Sequence, residues 1–127
     1  MNRPEIVVGR SDYDKLVRMA NGLVETRPEF AEELLGELER ASVANDGAAP
    51  AGTVQMGTKV EYRTEDGNTR RITLVYPAEA NIAERKVSIL TPIGTALLGL
   101  SVGSSIDFIA NDGRQHLLTV TAVETAG

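Results

Sequence analysis

The chain has no cysteine, no tryptophan, one histidine and only five aromatic residues among 127. Without cysteine there is no disulfide framework and no thiolate metal site, a usage that suits a reducing compartment. With His116 as the sole histidine, no Ser–His–Asp or Cys–His set surrounds a nucleophile. No glycine-rich loop is followed by the Lys-Ser/Thr of a phosphate cradle. No charged segment leads into an apolar one as in a signal peptide, and no apolar run reaches membrane length. The expectation is a soluble, cytoplasmic protein, without a bound cofactor or metal and monomeric.

Basic blocks are absent as well. Thirteen Lys and Arg face eighteen Asp and Glu, for a net charge of −5. Nucleic-acid binding relies on cations that neutralise phosphates, so this chain is not expected to bind DNA by itself. The acidity is concentrated: residues 1–49 hold six basic and ten acidic side chains, and residues 50–127 hold seven and eight. An acidic appendage suits a basic protein surface or a metal-containing channel.

What is present divides at a linker. Ser11-Asp12-Tyr13-Asp14 resembles a capping box, and behind it Leu16, Met19, Ala20, Leu23 and Val24 keep helical spacing. Thr26-Arg27-Pro28-Glu29 is a second start signal, with Thr26 as cap and Pro28 in the first turn. Phe30, Leu34, Leu38 and Ala41 follow as an apolar stripe, opposite a face of glutamates. The spacing predicts an antiparallel helical hairpin whose second helix runs about 15 residues, or ~22 Å. Asn45 to Gly52, rich in small residues, Gly and Pro, is the linker. The expected division is 1–47 and 48–127.

Beyond the linker the period becomes two. Lys59–Arg63 and Arg71–Tyr76 flank an Asp66-Gly67 turn, and Ser104–Ile109 and Leu117–Val123 flank Asn111-Asp112-Gly113. Val87, Ile89 and Leu90 suggest another strand. Between them, Thr91 and Pro92 open a short helix with Ile93, Ala96, Leu97 and Leu100 on one stripe. Strands interrupted by a single short helix imply an antiparallel sheet with that helix on one face, hence an α+β fold.

Four stretches resemble one family: Arg3-Pro4-Glu5-Ile6, Leu38-Glu39-Arg40-Ala41, Gly67 through Leu74-Val75-Tyr76-Pro77-Ala78, and Val87 through Thr91-Pro92-Ile93-Gly94 to Val102-Gly103. Together they resemble the GreA/GreB transcription elongation factors, and more closely the Rnk branch, the regulators of nucleoside diphosphate kinase. The combination of Leu-Val-Tyr-Pro-Ala with Pro-Ile-Gly…Ala-Leu-Leu-Gly-Leu is quite specific and spans nearly the whole chain. The resemblance implies a short N-terminal coiled coil on an FKBP-like C-terminal domain. It implies docking on the secondary-channel rim of bacterial RNA polymerase, any DNA contact being indirect.

Under that resemblance, Thr91, Pro92, Ile93 and Leu100 are the candidate polymerase-binding residues, with Ile93 or Leu100 as the exposed anchor. Glu25, Glu29, Glu32 and Glu33 are the candidate hairpin-tip acids. In the cleavage factors such acids help a second Mg²⁺ cut backtracked RNA. Here the hairpin is much shorter and the Asp-x-x-Glu-Asn-like tip is missing. The expectation is therefore a regulator without catalysis that competes with Gre factors; the alternative is a factor that stimulates transcript cleavage. An FKBP-like shape also raises prolyl isomerisation, but the aromatics are too few to line such a pocket.

Overall fold

The computed structural model describes residues 5–110 and 112–124. Arg3, Pro4 and Asn111, named above, lie outside the described residues. The chain runs β1 (Ile6–Gly9), α1 (Arg10–Leu23), α2 (Pro28–Glu39), β2 (Ala41–Ala44), β3 (Lys59–Thr64), β4 (Thr69–Val75), β5 (Lys86–Ser88), α3 (Pro92–Leu97), β6 (Ser105–Ile109) and β7 (Gln115–Glu124).

The helical hairpin forms as its stripes dictate. Leu16 and Ala20 of α1 face Ala31, Leu34 and Leu38 of α2, all buried. Its caps do not follow the sequence signals. Gly9 occupies the N-cap of α1, and the backbone N–H and hydroxyl of Ser11 instead donate to Asp46, at 3.0 and 2.5 Å. Arg27 occupies the N-cap of α2 without a side-chain bond, so Thr26 caps nothing. Pro28 supplies the preset φ of the first turn and lacks the N–H a cap would satisfy. The helix also ends earlier than expected: Ala41 begins β2 rather than completing the apolar stripe. At 12 residues α2 is about 18 Å long.

β1 and β2 form a two-stranded parallel sheet, in register from Ile6↔Ala41 to Gly9↔Ala44. Such short strands are marginal alone, and this pair is secured from the other side. The Gln55 side-chain amide donates to Val7 O (2.7 Å) and accepts from Gly9 N (3.0 Å), in the place of a neighbouring strand.

The C-terminal strands form one sheet in the order β5-β4-β3-β7-β6. Its pairs are antiparallel except β4–β5, which run parallel because the intervening loop, with 3₁₀ turns at Pro77–Glu79 and Ile82–Glu84, carries the chain back before β5 begins. The β3–β4 turn behaves as its Asp-Gly pair predicts. Gly67 adopts φ +86°, and Asp66 Oδ1 accepts from the Thr64 hydroxyl (2.5 Å) and the Asn68 N–H (3.0 Å). Val60, Tyr62, Leu118 and Val120 turn one sheet face inward onto α3, where Leu97 and Leu98 are fully buried.

One continuous core links the two parts. Ile6, Val8, Leu16, Leu34 and Leu38 belong to the same buried cluster as Val54, Leu74, Ile89 and Leu100. Three polar contacts reinforce the junction. Val7 N–H donates to Gly99 O (3.1 Å), Gln55 bridges to β1 as described, and the Tyr76 hydroxyl donates to Asp12 at 2.7 Å. Lys15 lies over the Tyr76 ring, 5.2 Å from its centre. Burial and the adjoining Asp12 carboxylate both push the Tyr76 hydroxyl pKa up, so it remains a donor at any physiological pH. Among the described residues, no helix is long and apolar enough to cross a membrane.

Candidate functional site

α3 is positioned by its first residue. The Thr91 hydroxyl accepts from Gly94 N–H (3.0 Å) and donates to Ser88 O (2.7 Å), so it caps the helix and ties it to the end of β5. Pro92 fills the first helical position. Thr95 then donates its buried hydroxyl to Ile89 O at 2.7 Å. The loop entering α3 is therefore held by side chain, ring and backbone together.

Pro92 borders a groove of about 710 Å³. One wall is α2, which contributes Glu32, Glu33, Gly36 and the buried Glu37, whose carboxylate Arg40 holds. The floor comes from α3, through Pro92, Thr95 and Ala96. The opposite wall is β6, all five of whose residues border the groove, together with Gln115 and Leu117 of β7. β6 is the last strand of its sheet, so its outer edge runs along the opening. Ile109 and Leu117 are 53% and 41% exposed there, which makes this the site where large apolar side chains of the sheet meet solvent beside acidic ones.

The sequence candidates separate under this geometry. Glu32, Glu33 and Pro92, from different candidate sets, share the groove. Glu25 and Glu29 are exposed at the turn between α1 and α2 and do not border it. Thr91 serves as the helix cap, and Ile93 is half-buried against the core. Leu100 is not an exposed anchor: it lies past the end of α3 and is fully buried, because Gly99 turns the chain inward beside β1. Asp107, Phe108, Ile109 and Leu117 escaped the sequence reading. Their signal was present in the β6–β7 hairpin, where apolar residues occupy both faces of strands that need only one buried face.

His116 sits beside this wall. Its Nδ1 is 2.7 Å from Glu65 and its Nε2 3.3 Å from Asp112. Glu65 also accepts the Leu117 N–H at 2.7 Å, extending the pairing of β7 past the end of β3. The Phe108 ring lies 5.7 Å from the imidazole. The bonds to Glu65 and then to Asp112 raise the His116 pKa above its ordinary 6.5, and the histidine and the Leu117 N–H hold Glu65 below its own. The group is thus a clasp between two turns. A raised imidazole pKa means that the stabilisation is fully present below pH ~6.5 and is lost as the pH rises through the shifted value. The melting temperature should therefore fall as the pH rises above about 6.5, and His116→Gln should flatten that dependence. An equal slope in the variant would show that other groups cause it. Among the described residues no group of three or more His, Asp or Glu side chains is placed to hold a metal ion.

Comparison with known proteins decides the family. The family described as "Transcription elongation factor, GreA/GreB, C-term" matches residues 49–125, and "Rnk N-terminus" matches residues 4–43. The chain belongs to the GreA/GreB transcription elongation factor family. Within it the chain is Rnk-like. It is 33% identical over 125 residues to the "Regulator of nucleoside diphosphate kinase" of Escherichia coli (strain K12), covering 98% of this chain and 92% of that protein. It is 37% identical over 101 residues to "Transcription elongation factor GreA" of Chloroflexus aggregans, covering 79% of this chain and 62% of that one. Among solved structures, a "Prokaryotic transcription elongation factor GreA/GreB from Nitrosomonas europaea" superimposes with a TM-score of 0.76 at 30% identity, over 94% of this chain and 98% of that one. The GreA/GreB-type sheet carries the groove wall and Pro92, and the Rnk-type hairpin carries the acids opposite.

Proposed function

We propose that this chain is a Rnk-like regulator that binds RNA polymerase at the rim of its secondary channel, competes there with Gre-type factors, and performs no catalysis of its own. A transcription elongation factor works on RNA polymerase, and the stretch of this chain that matches the family, residues 49–125, includes the sheet and the Pro92 loop. The observation that supports the reading best is the placement of Pro92 and the α2 acids on one groove, at the junction of a stubby hairpin and a rigid sheet. A partner element seated there contacts both parts at once. The preset Pro92 loop loses little freedom on docking, which favours affinity. Helices of 14 and 12 residues extend about 18–21 Å, a short reach that supports a position for Glu25 and Glu29 at the channel mouth rather than deep inside it. Effects on nucleoside diphosphate kinase, the activity in the E. coli relative's name, then follow from altered transcription.

Direct titration tests this reading. Labelled full-length protein should bind the cognate core polymerase saturably at micromolar concentration or below. Absence of binding at that concentration would overturn it.

A further inference from the structure

Gly36, like Gly22 of α1, is a helical glycine that the hairpin itself does not explain, and of the two only Gly36 borders the groove. It lies inside α2, where glycine costs a helix roughly 0.5–1 kcal/mol relative to alanine. Nothing approaches within 4 Å of the position its Cβ would take, and its φ is not in the left-handed region. Neither internal packing nor backbone conformation requires it. It does border the groove, one helical turn from Glu32 and Glu33. The absent side chain leaves the α2 wall open opposite the free edge of β6.

Of the four carboxylates lining this opening, Glu37 is buried and held by Arg40, and the other three face solvent. Glu32, Glu33 and Asp107 are exposed, and among the described residues no lysine or arginine pairs with any of them. Between them lie Pro92, Ile109 and Leu117. Apolar side chains beside three exposed, unneutralised carboxylates match a surface that combines apolar and basic side chains.

We infer that this groove receives an apolar ridge flanked by lysine or arginine side chains on the polymerase, with Gly36 as the gap that admits it and Glu32, Glu33 and Asp107 as its counter-charges. The inference rests on the polymerase reading and refines it. The four candidate tip acids divide into two functions. Glu32 and Glu33 belong to docking, and Glu25 and Glu29 do not contribute to affinity. Docking through carboxylates at a groove rim is salt-sensitive, whereas docking through the apolar floor is not.

Three full-length variants test it in titrations against core polymerase at about 50 and about 300 mM salt. Glu32→Gln/Glu33→Gln should weaken binding about tenfold at the lower salt and markedly less at the higher. Glu25→Gln/Glu29→Gln should stay within about twofold of the wild type at both. Gly36→Leu should melt at or above the wild-type temperature, since it adds a helix former in open space, yet bind about tenfold more weakly. Groove variants that bind as tightly as a binding-competent wild type would overturn this inference and leave the polymerase reading intact. A wild type that does not bind polymerase at all would overturn both. If the wild type is a dimer that Gly36→Leu dissociates, a second copy is the occupant, and the inference is also overturned.

Discussion

Gly99→Ala should lower stability by about 2–5 kcal/mol, seen as a melting temperature reduced by roughly 8–20 °C. Two costs combine. Gly99 has φ +75°, a conformation that costs an L-residue about 1–2 kcal/mol. A methyl group there would also stand 2.7 Å from Ile6 Cβ and 3.1 Å from both Val7 N and Val7 O, all on β1. Overpacking against a backbone that cannot yield costs a further 1–3 kcal/mol or so. The damage is directional, because Gly99 O accepts the Val7 N–H at the junction. Separating them loosens the hairpin from its mount before it loosens the sheet. Gly22→Ala is the internal control. Gly22 lies inside α1 with nothing near its Cβ position, so this change should gain up to about 1 kcal/mol. Equal melting temperatures for Gly99→Ala and the wild type would show that the junction is not where the model of the mount puts its rigidity.

Pro92→Asn should weaken binding to core polymerase by tenfold or more while leaving the melting temperature nearly unchanged. Pro92 is half-exposed at the first position of α3, where its missing N–H is needed by nothing. Removing the ring restores freedom to the unfolded chain and costs the fold no more than about 1 kcal/mol. The Thr91 cap, which holds the helix start, stays in place. The groove loses a rigid apolar corner, and its loop must then be ordered by the partner. The neighbouring Gly94 shows how closely this corner is built: a Cβ there would stand 2.3 Å from Ser88 O. A large fall in melting temperature in Pro92→Asn would instead mark the residue as structural.

The sequence made the local features visible. Thr91 and Pro92 start a helix for reasons contained in two residues, and Asp66-Gly67 turns a hairpin for reasons contained in four. Helical stripes in residues 16–38 place the hairpin correctly because the packing they need is between neighbours in the chain. What stayed hidden depends on distant partners. Ser11 is a good cap by type, yet it donates to Asp46, 35 residues away. Ile6–Gly9 is too short to read as a strand until Ala41–Ala44 and the Gln55 amide lie against it. Leu100 continues the helical spacing of α3 in sequence but lies beyond the helix end at Leu97, and the turn at Gly99 carries it into the core. The groove is the extreme case. It joins residues near positions 33, 92 and 107, so no window of sequence contains it. The four acids formed one set in the sequence, and tertiary structure alone separates Glu32 and Glu33 from Glu25 and Glu29.

A single assay bears on the whole account: backtracked transcription complexes incubated with this protein, with a Gre-type cleavage factor, and with both. The account predicts full-length RNA with this protein alone, and suppression of the cleavage factor's activity in proportion to the protein added. Shortened transcripts with this protein alone, or undiminished cleavage in the mixture at saturating protein, would contradict it.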